Sequence, residues 1–188
     1  KVASFELTDL ELIDYIAKKN KPIIISTGMA NIKEIKNALN CIKKYHNKIT
    51  ILYCVSGYPS KESDINLNTI KKFKKVFRGY SIGLSDHTDS ILTSLASTVL
   101  GVSMIEKHFV ISKKIKSYDQ KFSIDCSQLK DLRHGVEKIY LSLGVEKIGL
   151  KKIEKDSLKL RRSIFTKKFI KKGEAFNRDN ICNLRPSI

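Results

Sequence analysis

Two stretches, YSIGLSDHT (80–88) and VSMIEKHF (102–109), decide how the chain is read. Each begins as an apolar run and closes on charged and imidazole side chains. A largely apolar run of this length reads as a strand buried on both faces, as in a parallel sheet covered by helices. The strands Tyr80 to Leu84 and Val102 to Phe109 thus end on Ser85-Asp86-His87 and Glu106-Lys107-His108.

The same texture extends outward. Val2 to Phe5 reads as a short buried strand, Ile23-Ile24-Ile25 as a β-branched strand introduced by Pro22, and Ile49 to Val55 as a third. Helices fall between them. Thr8 and Glu11 have capping-box spacing ahead of the stripe Leu10, Ile13, Ile16 and Ala17. Asn31 and Glu34 can cap a second helix that buries Ile35, Ala38, Leu39 and Ile42. Leu67 to Phe77, the weakly charged Ile91 to Leu100, and Gln128 to Leu143 (stripe Leu129, Leu132, Val136, Ile139, Leu143) complete five helices. Five strands alternating with five helices predict an α/β fold with a parallel sheet, either doubly wound or part of a (βα)8 barrel. No glycine-rich fingerprint follows a strand, which disfavours a dinucleotide-binding sheet.

Residues 1–149 form this region. Residues 150–162 are highly charged and read as a linker, and residues 163–188 carry short β-like runs with a KKG turn, too few to hold a core alone. With 188 residues and 41% hydrophobic content, the composition is that of an ordinary globular protein. No apolar run approaches the roughly 20 residues that span a bilayer, so no membrane partner is expected. The opening at Lys1, inside a strand pattern, reads as a fragment of a longer protein. The net charge of +17 comes from 36 Lys+Arg against 19 Asp+Glu. Many of the lysines (Lys33, Lys36, Lys71, Lys74 among them) lie on polar helix faces, and no zinc-finger spacing or aromatic-interleaved basic motif is present. Nucleic acid is therefore not an expected partner. Cys41, Cys54, Cys126 and Cys182 form no CxxC pair and fit free thiols in a reducing cytoplasm, with Cys41 and Cys54 as small core residues.

The polar residues gather where a barrel enzyme needs them, at the C-terminal ends of strands. His87 and His108 would end adjacent strands and face one mouth, a pair suited to a divalent ion. His46 and His134 fall on helices or helix ends and read as surface residues. Lys1, Ser4, Ser26, Ser56 and Ser85 make a ring of one cation and four hydroxyls that could hold a phosphate or carboxylate. Each serine could equally satisfy local backbone groups. Glu6 and Asp119 are candidate acid–base or sugar-hydroxyl partners. Lys107 should point away from the mouth if Glu106 and His108 point inward.

On these motifs the chain resembles the sialic acid synthase family, and most closely its pseudaminic acid branch. The matching stretches are KVASFE (1–6), KPIIISTGMA (21–30), CVSGYP (54–59), GLSDHT (83–88), IEKHF (105–109), DQKFSID (119–125), RRSIF (161–165) and IKKGEAF (170–176), in family order. SDHT followed 21 positions later by the histidine of EKHF is the specific signature. The resemblance implies the C-terminal five βα units of a (βα)8 TIM barrel, the family's first three lying upstream, followed by an incomplete antifreeze-protein-like (SAF) domain. It implies a divalent metal, commonly manganese, on His87 and His108. Lys1, Ser4, Ser26, Ser56 and Ser85 would contact phosphoenolpyruvate (PEP), and Glu6, Tyr58 and Asp119 would face an N-acetylated amino sugar. Arg162, or its neighbour Arg161, would reach the partner's site in a domain-swapped homodimer. The implied reaction condenses PEP with 2,4-diacetamido-2,4,6-trideoxy-altrose, with Glu6 handling a proton, and releases phosphate and a nine-carbon α-keto acid. N-acetylneuraminate or legionaminate synthesis is the alternative, and an inactive truncated remnant a further one. A metal-dependent aldolase and a basic binding module are the rival readings outside the family. One departure is YCVS at the third strand, where relatives usually have KCTS, so that Val55 lacks a hydroxyl.

Overall fold

The computed structural model describes residues 1–187. They divide into two compact units, Lys1–Gly144 and a second that begins at Val145.

The first unit is built on a parallel sheet of order β1-β2-β3-β4, formed by β1 (Ile23–Ser26), β2 (Ile49–Cys54), β3 (Ser81–Asp86) and β4 (Ile105–Lys107). The β-branched and leucine residues of these strands supply much of the core, including the fully buried Ile25, Ile51 and Leu84. Helices cover them: α1 (Leu10–Ala17), α2 (Ile32–Lys43), α3 (Glu62–Ile65), α4 (Thr69–Val76), α5 (Leu92–Val99) and α6 (Cys126–Leu143). The expected strand over Val2 to Phe5 shortens to one bridge. Val2 pairs with Ile25, and Ser4–Glu6 then winds into a 3-10 turn that buries Leu7 completely. The last strand likewise contracts from Val102–Phe109 to three residues.

Two helix starts differ from the sequence reading. Asp9, not Thr8, caps α1, its carboxylate accepting the Leu12 N–H at 3.0 Å, and a carboxylate also suits the positive end of the helix dipole. The reciprocal pair Asp125–Gln128 caps α6 and starts it at Cys126, two residues early. The Asn31–Glu34 capping box on α2 forms as expected, at 3.0 and 2.8 Å. Leu10, expected in the stripe of α1, is exposed, as are Leu129 and Leu143 of α6. Helix α5 presents Thr93, Ser94, Ser97 and Thr98 inward and leaves Leu92 and Val99 outside. Its weak charge therefore reflects a small hydroxyl face against the sheet.

The second unit holds an antiparallel pair, β5 (Ser163–Thr166) and β6 (Ile181–Leu184). Fully buried Asn180 braces the connecting loop: its side-chain amide donates to the Ala175 carbonyl at 2.9 Å, and its side-chain oxygen accepts the Asn177 N–H at 2.8 Å. Among the described residues no helix is long and apolar enough to cross a membrane.

Gly83, inside β3, is the tightest point of the sheet. A Cβ there would lie 2.4 Å from Leu52 Cδ2 and 2.6 Å from the Met104 carbonyl oxygen. The second atom is backbone and cannot rotate away. Gly83→Ala is expected to destabilise the first unit by about 1–3 kcal/mol in denaturant unfolding; an unchanged midpoint would show that the strands separate freely.

Candidate active site

Alternation along the strands sorts the polar endings onto two faces. Register pairs Cys54 with Ser85 and Ser85 with Glu106. These side chains meet on the face that also receives His87 and His108, while Asp86 and Lys107 lie on the opposite, helix-covered face.

The two imidazoles converge, with ring centroids 5.3 Å apart and planes inclined by 54°. His87 Nδ1 lies 2.9 Å from the Val55 carbonyl oxygen, which makes Nδ1 the N–H donor and leaves Nε2 with the lone pair. His108 Nδ1 lies 3.4 Å from Asp119 Oδ2. Both histidines thus have the carboxylate or carbonyl support typical of metal ligands. Tyr58 roofs the pair, its ring 4.3 Å from His87 and 6.1 Å from His108, and Phe122 closes the other side of His108 at 4.8 Å. Among the described residues no set of three or more His, Cys, Asp or Glu side chains could hold an ion together. His87 and His108 are the two imidazoles of the site that could hold an ion, its remaining positions then falling to substrate and water oxygens. The donor set fits such a group.

Beside the histidines, Glu106 accepts the Ser85 hydroxyl at 2.7 Å and pairs with Lys1 Nζ at 3.0 Å. Ser4 Oγ accepts the Gly28 N–H at 3.0 Å and donates to Cys54 Sγ at 3.4 Å. Cys54 Sγ also lies 3.9 Å from Ser56 Oγ and 3.8 Å from His87 Nδ1. Gly28 makes this crowding possible, since a Cβ there would stand 2.0 Å from Ser56 Oγ and 2.9 Å from Ser4 Oγ. Ser26 Oγ is buried with no protein partner among the described residues. A buried hydroxyl without a partner costs about 1–3 kcal/mol, a cost that a bound oxyanion or water would offset.

Burial opposes charge on His87, yet the Cys54 thiol and the Val55 carbonyl hold its pKa above the ordinary histidine value. Against the same opposing burial, His87 and Ser4 hold Cys54 below the ordinary thiol value. Burial and the neighbouring His87 push His108 down, outweighing Asp119. Burial would raise Glu106, but the Ser85 hydroxyl and the Lys1 ammonium bring it below the usual carboxylate value.

The structure therefore brings together Lys1, Ser4, Ser56, Tyr58, Ser85, His87, His108 and Asp119. Ser26 ends β1 on the same face, and Glu6 is half-buried in the turn directly after Ser4. Arg161 and Arg162 belong to the second unit, exposed and just ahead of β5. Two residues at the centre of the contacts were not among the candidate ligands. Cys54 reads as core in the sequence, although it sits two positions before Ser56 on the same face; Glu106 was visible only as a polar strand end.

A family model described as the NeuB family matches residues 1–148. The chain belongs to the NeuB family. It is 42% identical over 191 residues to the pseudaminic acid synthase of Helicobacter pylori, covering 100% of this chain and 56% of that protein. It is 40% identical over 194 residues to the N,N'-diacetyllegionaminic acid synthase of Campylobacter jejuni, covering 100% and 57%. A crystal structure of the N-acetylneuraminic acid synthetase from Leptospira borgpetersenii in complex with citrate shares the fold at a TM-score of 0.75 and 30% identity, over 84% of this chain and 55% of that one. The curled parallel sheet thus corresponds to a half-barrel of this NeuB-like fold. The chain spans little more than half the length of the curated relatives it matches.

The lowered pKa of Glu106 has a stability consequence. Its contribution is present above the unfolded-state value of about 4.3 and is lost as pH falls through the lower folded-state value. Glu106→Gln is expected to flatten the acid-unfolding curve below about pH 5; superimposable curves for the two proteins would contradict the Lys1–Glu106–Ser85 contact.

Proposed function

We propose that the protein acts as a pseudaminic-acid-type synthase, condensing PEP with 2,4-diacetamido-2,4,6-trideoxy-altrose to a nine-carbon α-keto acid and releasing phosphate. The observation that carries this reading is the convergence of His87 and His108 beneath Tyr58, beside the Ser85–Glu106–Lys1 group. A divalent ion, proposed to be manganese, would be held by His87 and His108 and supply Lewis acidity to the sugar carbonyl oxygen.

The chain's own groups would do the rest. Lys1 and the hydroxyls of Ser4, Ser26, Ser56 and Ser85 would bind the phosphate and carboxylate of PEP, with the unpartnered Ser26 Oγ gaining an acceptor. Tyr58 and Asp119 would orient the amino sugar so that C3 of PEP faces its aldehyde carbon. Glu6 would move the proton to or from the aldehyde oxygen as the C–C bond forms. Water then adds at C2 and phosphate departs by C–O cleavage. The half-buried mouth strengthens each charge–dipole contact relative to water.

A second reading, legionaminate synthesis, is favoured by the nearly equal identity to the two kinds of relative, 42% and 40%. The second unit is proposed as the start of a SAF-type domain whose Arg162, or Arg161, reaches the site of the partner in a swapped homodimer, and the cytoplasm as the working compartment.

Release of inorganic phosphate, measured with PEP, Mn²⁺ and each candidate amino sugar, tests the reading. The altrose derivative is expected to react fastest, and His87→Ala to lower turnover on the order of 100-fold or more. No release with any sugar would refute the synthase, and undiminished release from His87→Ala would refute the role of that histidine. Gly28→Ala, which displaces the Ser4 and Ser56 hydroxyls, is expected to raise the KM for PEP about 10- to 100-fold; an unaltered KM would remove those serines from PEP binding.

A further inference from the structure

On the helix-covered face, behind the histidines, lies a charged pair that the condensation chemistry does not use. Asp86 and Lys107 are cross-strand neighbours on β3 and β4. Lys107 Nζ lies 3.1 Å from Asp86 Oδ2, with the side chains 3% and 0% exposed. The ammonium also donates to the Thr88 carbonyl at 2.7 Å. Asp86 in turn accepts the Thr88 N–H at 2.9 Å, the Thr88 hydroxyl at 2.8 Å and the Ser94 hydroxyl at 2.5 Å. Asp86 and Thr88 flank His87 in the chain, and Lys107 precedes His108. One ammonium, from the residue adjoining His108, therefore grips both chain neighbours of His87.

Stability alone does not account for such a pair. Desolvation of two buried charges offsets most of their attraction, and apolar side chains of similar volume commonly serve as well. What the pair provides is direction. To share an ion, both Nε2 atoms must lie about 2 Å from one point. His108 hangs from a strand of three residues that pairs in the sheet only with β3 among the described residues. His108 is also held by the Ile124 N–H, which its carbonyl accepts at 2.9 Å, and by Asp119 at its ring, but neither residue belongs to the strand that leads into His87; Lys107 is what ties the His108 end of β4 to that strand.

We propose that the Asp86–Lys107 ion pair, aimed by Thr88 and Ser94, sets the spacing of His87 and His108 for a single divalent ion, making Asp86 and Lys107 positioning residues. The proposal rests on the reading of His87 and His108 as a metal-binding pair. It concerns binding, so the readout is Mn²⁺ affinity of the full chain, followed by electron paramagnetic resonance of the free ion, with no substrate present.

Lys107→Met alone strands the Asp86 charge and is expected to lower the melting temperature sharply. The paired change Asp86→Asn with Lys107→Met keeps the shapes and removes both charges. It is expected to recover most of that stability yet bind Mn²⁺ about 10- to 100-fold more weakly, the cost usual for lost support around a ligand. Ile35→Val, a core change on α2, should lower the melting temperature without moving Mn²⁺ affinity. If the unaltered protein binds no Mn²⁺, or His87→Ala binds as well as the parent, the metal reading falls and the proposal with it. If the parent binds, His87→Ala does not, and the paired variant keeps the parent's affinity, the proposal alone is overturned. Should the paired variant fail to fold, Ser94→Ala removes only the hydrogen bond that aims the carboxylate. Several-fold weaker binding there supports the proposal, and equal binding overturns it.

Discussion

Side by side in a parallel sheet, β3 and β4 run in a register that sets Ser85 beside Glu106 and Asp86 beside Lys107. Every other feature of the site follows from that pairing. Because side chains alternate with a period of two, a slip of one residue would carry Glu106 and His108 to the helix side and bring Lys107 into the mouth. The chemistry on each face resists such a slip. On one side, Glu106 binds Ser85 and Lys1; on the other, Lys107 would lose Asp86 and leave two buried charges without partners. The register is thus held once per face, by the Ser85–Glu106 hydrogen bond on one and by the Asp86–Lys107 ion pair on the other.

The mouth depends equally on close approach. Gly83 admits Leu52 and the Met104 carbonyl, and Gly28 admits the Ser4 and Ser56 hydroxyls. Neither glycine has a positive φ among the described residues, so the requirement is for space and not for backbone freedom. Small residues at these two points let four strand ends crowd together, where Cys54 can touch Ser4, Ser56 and His87 at once. A half-buried cluster of hydroxyls, an ammonium and two imidazoles is one in which anions and a cation would be held strongly.

Much of this was legible in the chain. Continuous apolar runs ending in Ser-Asp-His and Glu-Lys-His indicated parallel strands with a polar mouth, and alternation alone sent Lys107 away from it. The Asn31–Glu34 cap was visible in spacing. Less legible were ends whose outcome depends on tertiary contacts. Val2 to Phe5 has strand composition, but the chain turns at Ser4 to bury Leu7. Thr8 has cap spacing, but Asp9 takes the cap. Cys54 has the look of a core residue because a thiol is small and apolar; only its neighbours in space make it part of the site. The hydroxyl face of α5 was hidden by a low charge count that suggested apolar burial. Its meaning appears once Ser94 is seen against Asp86.

Crystals grown with Mn²⁺ and measured at an energy that gives manganese an anomalous signal offer the most direct check on the convergence of His87 and His108. The account predicts one anomalous peak about 2.1 Å from both Nε2 atoms, with Tyr58 above it. A peak bound to only one of the two histidines, or no peak within reach of either, would contradict it.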